Sequence, residues 1–255
     1  TNLFTIMKSH IIIPARLHST RLPEKLLLSA TGKPLIQHTY EAAQRAQRPS
    51  GIILATDHER IVAAVQAFDG EVVLTDPAAP SGTDRVAEVA EQLPDVDIIV
   101  NVQGDEPEIL GSSIDLVIEL LQNDPTAVMA TLATPIRSKS QLEDPACVKV
   151  VFNQSQQAMY FSRSVIPHPQ TWDDSLLEKE SGLFFQHVGL YAYRRDVLLK
   201  LAKLPQIPIE TTESLEQLRV LDHGYTILVG VVDEPSFGID TKDDYDAFER
   251  KMNSR

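Results

Sequence analysis

The sequence predicts an α/β fold, a doubly wound and mostly parallel sheet joined by a smaller mixed lobe, and three observations carry that expectation. Short β-branched runs are apolar along their whole length, helical patterns alternate with them, and the second half turns to longer strands rich in Val, Phe and Tyr. Strands apolar throughout are buried on both faces, as in a parallel sheet, and their alternation with helices marks βαβ units.

The expected strands of the first half are residues 11–13, 52–55, 72–74 and 98–102, each bounded by turn residues. Between them Ile61, Val62, Val65 and Phe68 share one helical face, and so do Val86, Val89, Ala90 and Leu93. Over 148–193 the strands lengthen around a polar stretch, HPQTWDDSLLEKESG, which reads as a loop. A mixed sheet or a dimerising lobe fits there. The chain then returns to a helix over 214–222, a strand over 225–232, a turn, and a terminal helix from about Lys242. No internal repeat and no low-complexity segment interrupts it. A chain of 255 residues buries a sizeable core, so one compact unit over 1–255 is expected, with about 135–225 forming the smaller lobe.

Composition narrows the function. With 23 Lys and Arg against 36 Asp and Glu, the net charge of -13 excludes nucleic acid and anionic membrane as partners, since both reward a basic surface. Phosphate binding therefore needs locally gathered cations. The single Cys147 excludes an internal disulfide and a cysteine-rich zinc site, and points to the reducing cytoplasm. No apolar run reaches the roughly 18 residues that span a bilayer, and TNLFTIMKSHIII lacks the features of a signal peptide, so a soluble, unsecreted protein is expected.

The densest chemistry follows the first strand. PARLHSTRLPEK, 14–25, sets Arg16, Arg21 and Lys25 beside Ser19 and Thr20. Open α/β sheets bind ligands beyond the carboxyl ends of their strands, so a cationic loop there suits a polyphosphate. It contains neither GxGxxG nor GxxxxGK[ST], so side chains rather than a glycine cradle grip the phosphates. VNVQGDEP, 100–107, ends an apolar strand on Gln103, Gly104 and Asp105, where a carboxylate can hold a hard cation or simply make an Asx turn. FGIDT, 237–241, puts Asp240 before the terminal helix, where it reads alone as an N-cap; only its pairing with Asp105 makes a metal site. SGTDR, 81–85, offers amides and a cation to a base or phosphate, while in the plain structural account Ser81 or Thr83 caps the next helix and Asp84 complements its dipole, and both can hold at once.

The second half supplies weaker signals. Arg163 ends a strand-like run and reads alone as a surface salt bridge. His187 and Tyr191 share a strand face by alternation, as a buried structural pair would. Glu216 and Gln217 lie on a helix whose Leu215, Leu218 and Leu221 face the core, with Glu216 pairing Arg219 in the plain structural account.

Taken in order over nearly the whole chain, PARLHSTRLPEK, TGKPLIQH, SGTDR, VNVQGDEP, YFSRSVIP, HVGLYAYR, ESLEQLRVL and GIDT resemble the 3-deoxy-manno-octulosonate (Kdo) cytidylyltransferases of Gram-negative bacteria. The resemblance implies a fold of the nucleotide-diphospho-sugar transferase type and CMP transfer from CTP to Kdo for lipopolysaccharide biosynthesis. It implies that Arg16 and Lys25 contact the CTP phosphates, that Ala15 and Ser81 help hold cytidine, and that Asp105 and Asp240 are magnesium ligands. Gln103, Arg163, His187, Tyr191, Glu216 and Gln217 would surround the sugar acid, and the second half would build a homodimer. The chain departs from the family at Glu24, where glycine is usual, and at Gln186, where arginine often precedes the histidine.

The implied reaction is in-line attack of the Kdo anomeric hydroxyl on the α-phosphorus, with pyrophosphate leaving, which needs positioning and charge neutralisation more than covalent catalysis. Magnesium would lower the hydroxyl's pKa while Lys25 and Arg16 offset charge on the leaving group. No side chain is an obvious general base, and metal activation is expected to make one unnecessary. The rivals are a synthetase for sialic acid, 8-amino-Kdo or a sugar 1-phosphate, and a nucleotide-binding regulator without catalysis. A sugar phosphate calls for more cations in the second half than Arg163 and its few neighbours supply.

Overall fold

The computed structural model describes residues 7–178 and 182–254, so the first six residues and 179–181 of the polar stretch lie outside the described residues. The chain forms two compact units, one running to Asp115 and resuming at Ser236, the other Leu116–Pro235.

The first unit is built on parallel strands β1 (Ser9–Ala15), β2 (Ile52–Thr56), β3 (Val72–Leu74) and β4 (Ile98–Asn101). β1 lies between β2 and β4, and β3 lies outside β2. Ile11, Ile12 and Ile13 are completely buried, as continuous apolar runs require. β3 departs from that expectation: Leu74 is 50% exposed, because this strand pairs on only one side. The connecting helices are α1 (Leu35–Ala43), α2 (Glu59–Gln66) and α3 (Gly82–Glu91), and α4 (Gly111–Asn123) leads out of the unit. Ile61 and Val65 of α2 and Val86, Val89 and Ala90 of α3 are buried as their spacing predicts, whereas Phe68 and Leu93 fall just beyond their helices.

In the second unit β5 (Met129–Pro135) runs antiparallel to β8 (Phe185–Arg194) and parallel to β9 (Ile227–Val231). β6 (Lys149–Phe152) and β7 (Ala158–Ser162) form an antiparallel pair. This is the mixed sheet expected of the second half. Around it lie α5 (Lys139–Glu143), α6 (Arg195–Leu201), α7 (Pro208–Glu213) and α8 (Gln217–Asp222). The helix expected over 214–222 starts late, because Ser214 closes α7 in the left-handed region at φ 53° and α8 begins only at Gln217. Arg219 turns to Glu210, whose carboxylate is 3% exposed, and its Nη1 donates to the Leu201 and Leu204 carbonyls.

The chain returns to the first unit through α9 (Lys242–Asn253), which buries Tyr245 and Phe248. Thr241 caps it: the hydroxyl accepts from the Asp244 amide, and the Asp244 carboxylate reaches back to the Thr241 amide at 2.8 Å. Asp240 is therefore not the cap. Among the described residues no helix is long and apolar enough to cross a membrane.

Candidate active site

At the carboxyl ends of β1 and β4 a cleft of about 380 Å³ opens, lined among others by Arg16, Arg21, Lys25, Gln103, Asp105 and Asp240. Gly104 lets its walls approach. A Cβ there would lie 2.9 Å from the Pro14 carbonyl, and the Gly104 carbonyl accepts from the Thr39 hydroxyl at 2.9 Å. Any side chain at 104 would push the exits of β1 and β4 apart.

Lys25 stands at the centre. Its ammonium contacts Asp105 Oδ2, donates to Asp240 Oδ1 at 3.0 Å and to the Ile239 carbonyl at 3.0 Å. The partners lie 80 and 215 residues away in sequence. Arg21 Nη2 lies 2.9 Å from the other Asp240 oxygen. Burial pulls the Lys25 pKa down, but the charges and hydrogen bonds of the two aspartates outweigh it, leaving the group above its ordinary value and firmly ionised. Gly238 packs beside Asp105, and the Ile239 amide donates to the Asp105 carbonyl at 2.9 Å, which ties the two aspartate segments together.

The residue before the lysine explains one departure from the family. Glu24 adopts φ 51° and ψ 30°, the left-handed region that favours glycine, and Arg60 of α2 grips its carboxylate through both terminal nitrogens. An ion pair to a neighbouring helix thus holds the turn that glycine would take without strain.

The other expected contacts distribute as follows. Arg16 Nη2 donates to the Pro80 carbonyl at 3.2 Å, bringing the loop after β1 beside the start of α3. Ala15 is 1% exposed at the end of β1, and the Ser81 hydroxyl caps α3 by accepting from the Asp84 amide at 3.1 Å. Arg85, expected to offer a cation to a ligand, is fully buried and turned to protein partners. Gln103 Nε2 approaches Asn101 Oδ1 at 3.3 Å.

The remaining candidates belong to the second unit. His187 touches Tyr191 with ring centroids 5.4 Å apart and Phe161 at 5.0 Å, and its Nε2 lies 2.9 Å from the Thr131 hydroxyl. The residue keeps some exposure, but burial lowers its pKa to about 3, so it is a neutral hydrogen-bonding group at physiological pH. Among the described residues Arg163 makes no surface salt bridge of the expected kind. Its Nε donates to the Glu213 carbonyl at 2.7 Å and Nη1 to the Pro145 carbonyl at 3.1 Å, while its amide takes a Glu213 carboxylate oxygen at 2.9 Å. Gln217 is 4% exposed, with Nε2 buried and unpartnered, whereas Glu216 is exposed. Gln186, the other departure, accepts from Gln141 at 2.6 Å.

Sequence reasoning passed over Asp57, although it follows β2 as Asp105 follows β4. Its Oδ1 accepts the Leu17 amide at 3.2 Å, at the root of the cationic loop. The same attention to strand ends would have found it.

Among the described residues no cluster of three or more His, Cys, Asp and Glu forms a ready cation cage. The donor set nevertheless fits magnesium. Two carboxylates converge on one ammonium, and a small hard cation is commonly held by one or two carboxylates, with water and substrate phosphates completing its shell.

The sequence pattern of a family described as cytidylyltransferase matches residues 10–227. The 3-deoxy-manno-octulosonate cytidylyltransferase of Rhodopirellula baltica is 47% identical over 250 residues, covering 98% of this chain and 100% of that protein. The 8-amino-3,8-dideoxy-manno-octulosonate cytidylyltransferase of Shewanella woodyi is 43% identical over 249 residues, 96% of this chain and 99% of that one. A solved CMP:2-keto-3-deoxy-manno-octonic acid synthetase, complexed with CTP, superposes with a TM-score of 0.89 at 41% identity, covering 97% of this chain and 99% of that one.

Proposed function

The chain belongs to the 3-deoxy-manno-octulosonate cytidylyltransferase family, and from that premise we propose that it transfers CMP from CTP to the anomeric hydroxyl of Kdo with release of pyrophosphate. The observation that carries the reading within this chain is the meeting of Lys25 with Asp105 and Asp240 in a cleft at strand carboxyl ends.

The chain's residues divide the work by charge. A CTP triphosphate entering an acidic protein needs local cations, and Arg16, Arg21 and Lys25 supply them on one loop. Asp105 and Asp240 would hold magnesium, which when bound neutralises phosphate charge and acidifies the attacking hydroxyl. Lys25 serves both sides in this reading: it neutralises the carboxylates in this structure and would turn to the leaving phosphates when CTP binds. The attack forms one phosphorus–oxygen bond at the α-phosphorus and breaks the bond from the α-phosphorus to the bridging oxygen, which leaves with the electron pair as pyrophosphate, while the hydroxyl proton passes to solvent water. Gln103, Arg163, His187, Tyr191, Glu216 and Gln217 receive the sugar acid in this reading, Arg163 for its carboxylate and neutral His187 as a hydrogen-bond partner for hydroxyls. The same reading has the enzyme act in the cytoplasm as a homodimer built through the second half, supported by a single buried free thiol and by the family.

The similarity to the 8-amino relative makes that sugar acid the second reading. A pyrophosphate-release assay crossing four nucleoside triphosphates with Kdo, 8-amino-Kdo and sialate tests both. CTP with Kdo should turn over far faster than any other pair. Equal rates with all nucleotides would sink the cytidylyl assignment, and preference for the amino sugar would move the chain to the second reading.

A further inference from the structure

The first turn of α3 carries an arginine with no exposure to solvent. Burying a guanidinium is costly unless acceptors surround it, and Arg85 is only partly supplied. Its Nη1 contacts the Thr75 hydroxyl and lies 3.3 Å from the Asp76 carbonyl, and its Nη2 lies 3.5 Å from Asp57 Oδ2. Nε is buried without a hydrogen-bond partner. Buried ion pairs can often be exchanged for apolar groups of similar volume without loss of stability, so packing alone does not account for a cation here.

What Arg85 touches suggests its purpose. Thr75 follows β3 and Asp57 follows β2, so one side chain spans the exits of two parallel strands. Asp57 carries the connection to a third exit, because its other oxygen accepts the Leu17 amide at 3.2 Å. Leu17 is 3% exposed and directly follows Arg16, whose own guanidinium reaches the Pro80 carbonyl ahead of α3. Neither Asp57 nor Arg85 lines the cleft.

We infer that Asp57 and Arg85 are positioning residues for nucleotide binding: Arg85 orients the Asp57 carboxylate, and Asp57 pins the Leu17 amide so that Arg16 faces the triphosphate. A side-chain acceptor on a loop amide fixes that loop with little conformational entropy left to lose when the ligand arrives. The inference rests on the proposal that Arg16 contacts the CTP phosphates.

The test compares Asp57→Ala, Asp57→Asn, Arg85→Lys, Arg85→Met and Arg16→Ala in the full chain. CTP affinity is measured by calorimetry without sugar acid, the Michaelis constants for CTP and Kdo separately, and thermal melts alongside. Asp57→Ala should weaken CTP binding at least tenfold and leave the Kdo constant within about twofold. Asp57→Asn, which keeps an acceptor for the Leu17 amide, should recover most of that loss, and Arg85→Lys should lie between wild type and Arg85→Met. Should the Arg85 variants fail to fold, the Asp57 pair still decides. Unchanged CTP affinity in folded Asp57→Ala, or Asn no better than Ala, overturns the positioning role. If Arg16→Ala itself binds CTP normally, the phosphate assignment beneath the inference falls and takes the inference with it. If Arg16→Ala weakens CTP and Asp57→Ala does not, only the positioning role is lost.

Discussion

Replacing Lys25 with methionine separates two quantities that usually fall together, metal affinity and turnover. In the structure the ammonium lies on Asp105 and Asp240, the carboxylates assigned to magnesium, so lysine and metal compete for the same oxygens. A net hydrogen bond between charged groups contributes about 1.5 to 3 kcal/mol. The Asp105 contact is well enclosed, with side-chain exposures of 13% and 22%, and counts nearly in full. Asp240 is 43% exposed, so water screens its contact and most of it is discounted. A cation entering the wild type therefore forfeits about 1.5 to 3 kcal/mol, which in Lys25→Met it keeps. Since 1.4 kcal/mol is tenfold, the variant should bind Mn²⁺ roughly ten- to hundredfold more tightly without nucleotide. Turnover should collapse, because the same lysine is needed at the phosphates. The assay is a Mn²⁺ titration followed by electron paramagnetic resonance, with Asp105→Asn as the control that loses binding. Unchanged or weaker Mn²⁺ binding in folded Lys25→Met would refute the competition and place the metal elsewhere.

Three further outcomes follow from the same geometry. Asp105→Asn and Asp240→Asn should each abolish most turnover while melting near wild type, and the double variant should be little worse than either, since a second ligand removed from an emptied site loses little; strictly additive losses in turnover would dissolve the shared site. Arg163→Ala should raise the Michaelis constant for the sugar acid by the equivalent of about 1.5 to 3 kcal/mol and spare CTP binding, and an unchanged sugar constant would leave Arg163 as a tie between the Glu213 and Pro145 carbonyls. His187 has a folded pKa of about 3 against an ordinary 6.5, so the unfolded chain binds its proton first as pH falls. Stability should be intact above about pH 6.5 and decline as pH drops towards 3, and urea melts of His187→Gln should show a shallower decline; identical slopes would contradict the burial that lowers this group.

The strands of the first unit and the terminal helix were legible because apolar runs and 3.6-residue periodicity are local properties of the chain. Other elements carried weaker marks. Ile114, Val117, Ile118 and Leu121 of α4 repeat at helical spacing, yet they lie in no expected element, and β5 is masked by the small residues of MATLATP. The helix expected from Ser214 misjudged its start, since a left-handed serine gives no sign of itself in composition. The cationic loop, Gln103 to Asp105 and Asp240 were found from their places at strand ends, and the ordered motifs pointed to the family.

Roles, by contrast, waited for the fold. Asp240 reads locally as a helix cap, but Thr241 takes that cap through Asp244, three residues on, and it is tertiary contacts that engage the Asp240 carboxylate with Lys25 and Arg21. Arg85 reads as a cation on offer, and only burial shows it turned inward to Thr75 and Asp57. Propensity and periodicity act between near neighbours, so the sequence by itself determined the layered α/β frame and the residue types gathered at its strand ends. Charge pairing acts through space between groups as far apart as Lys25 and Asp240, 215 positions in sequence, and so only the tertiary structure decided which charges meet.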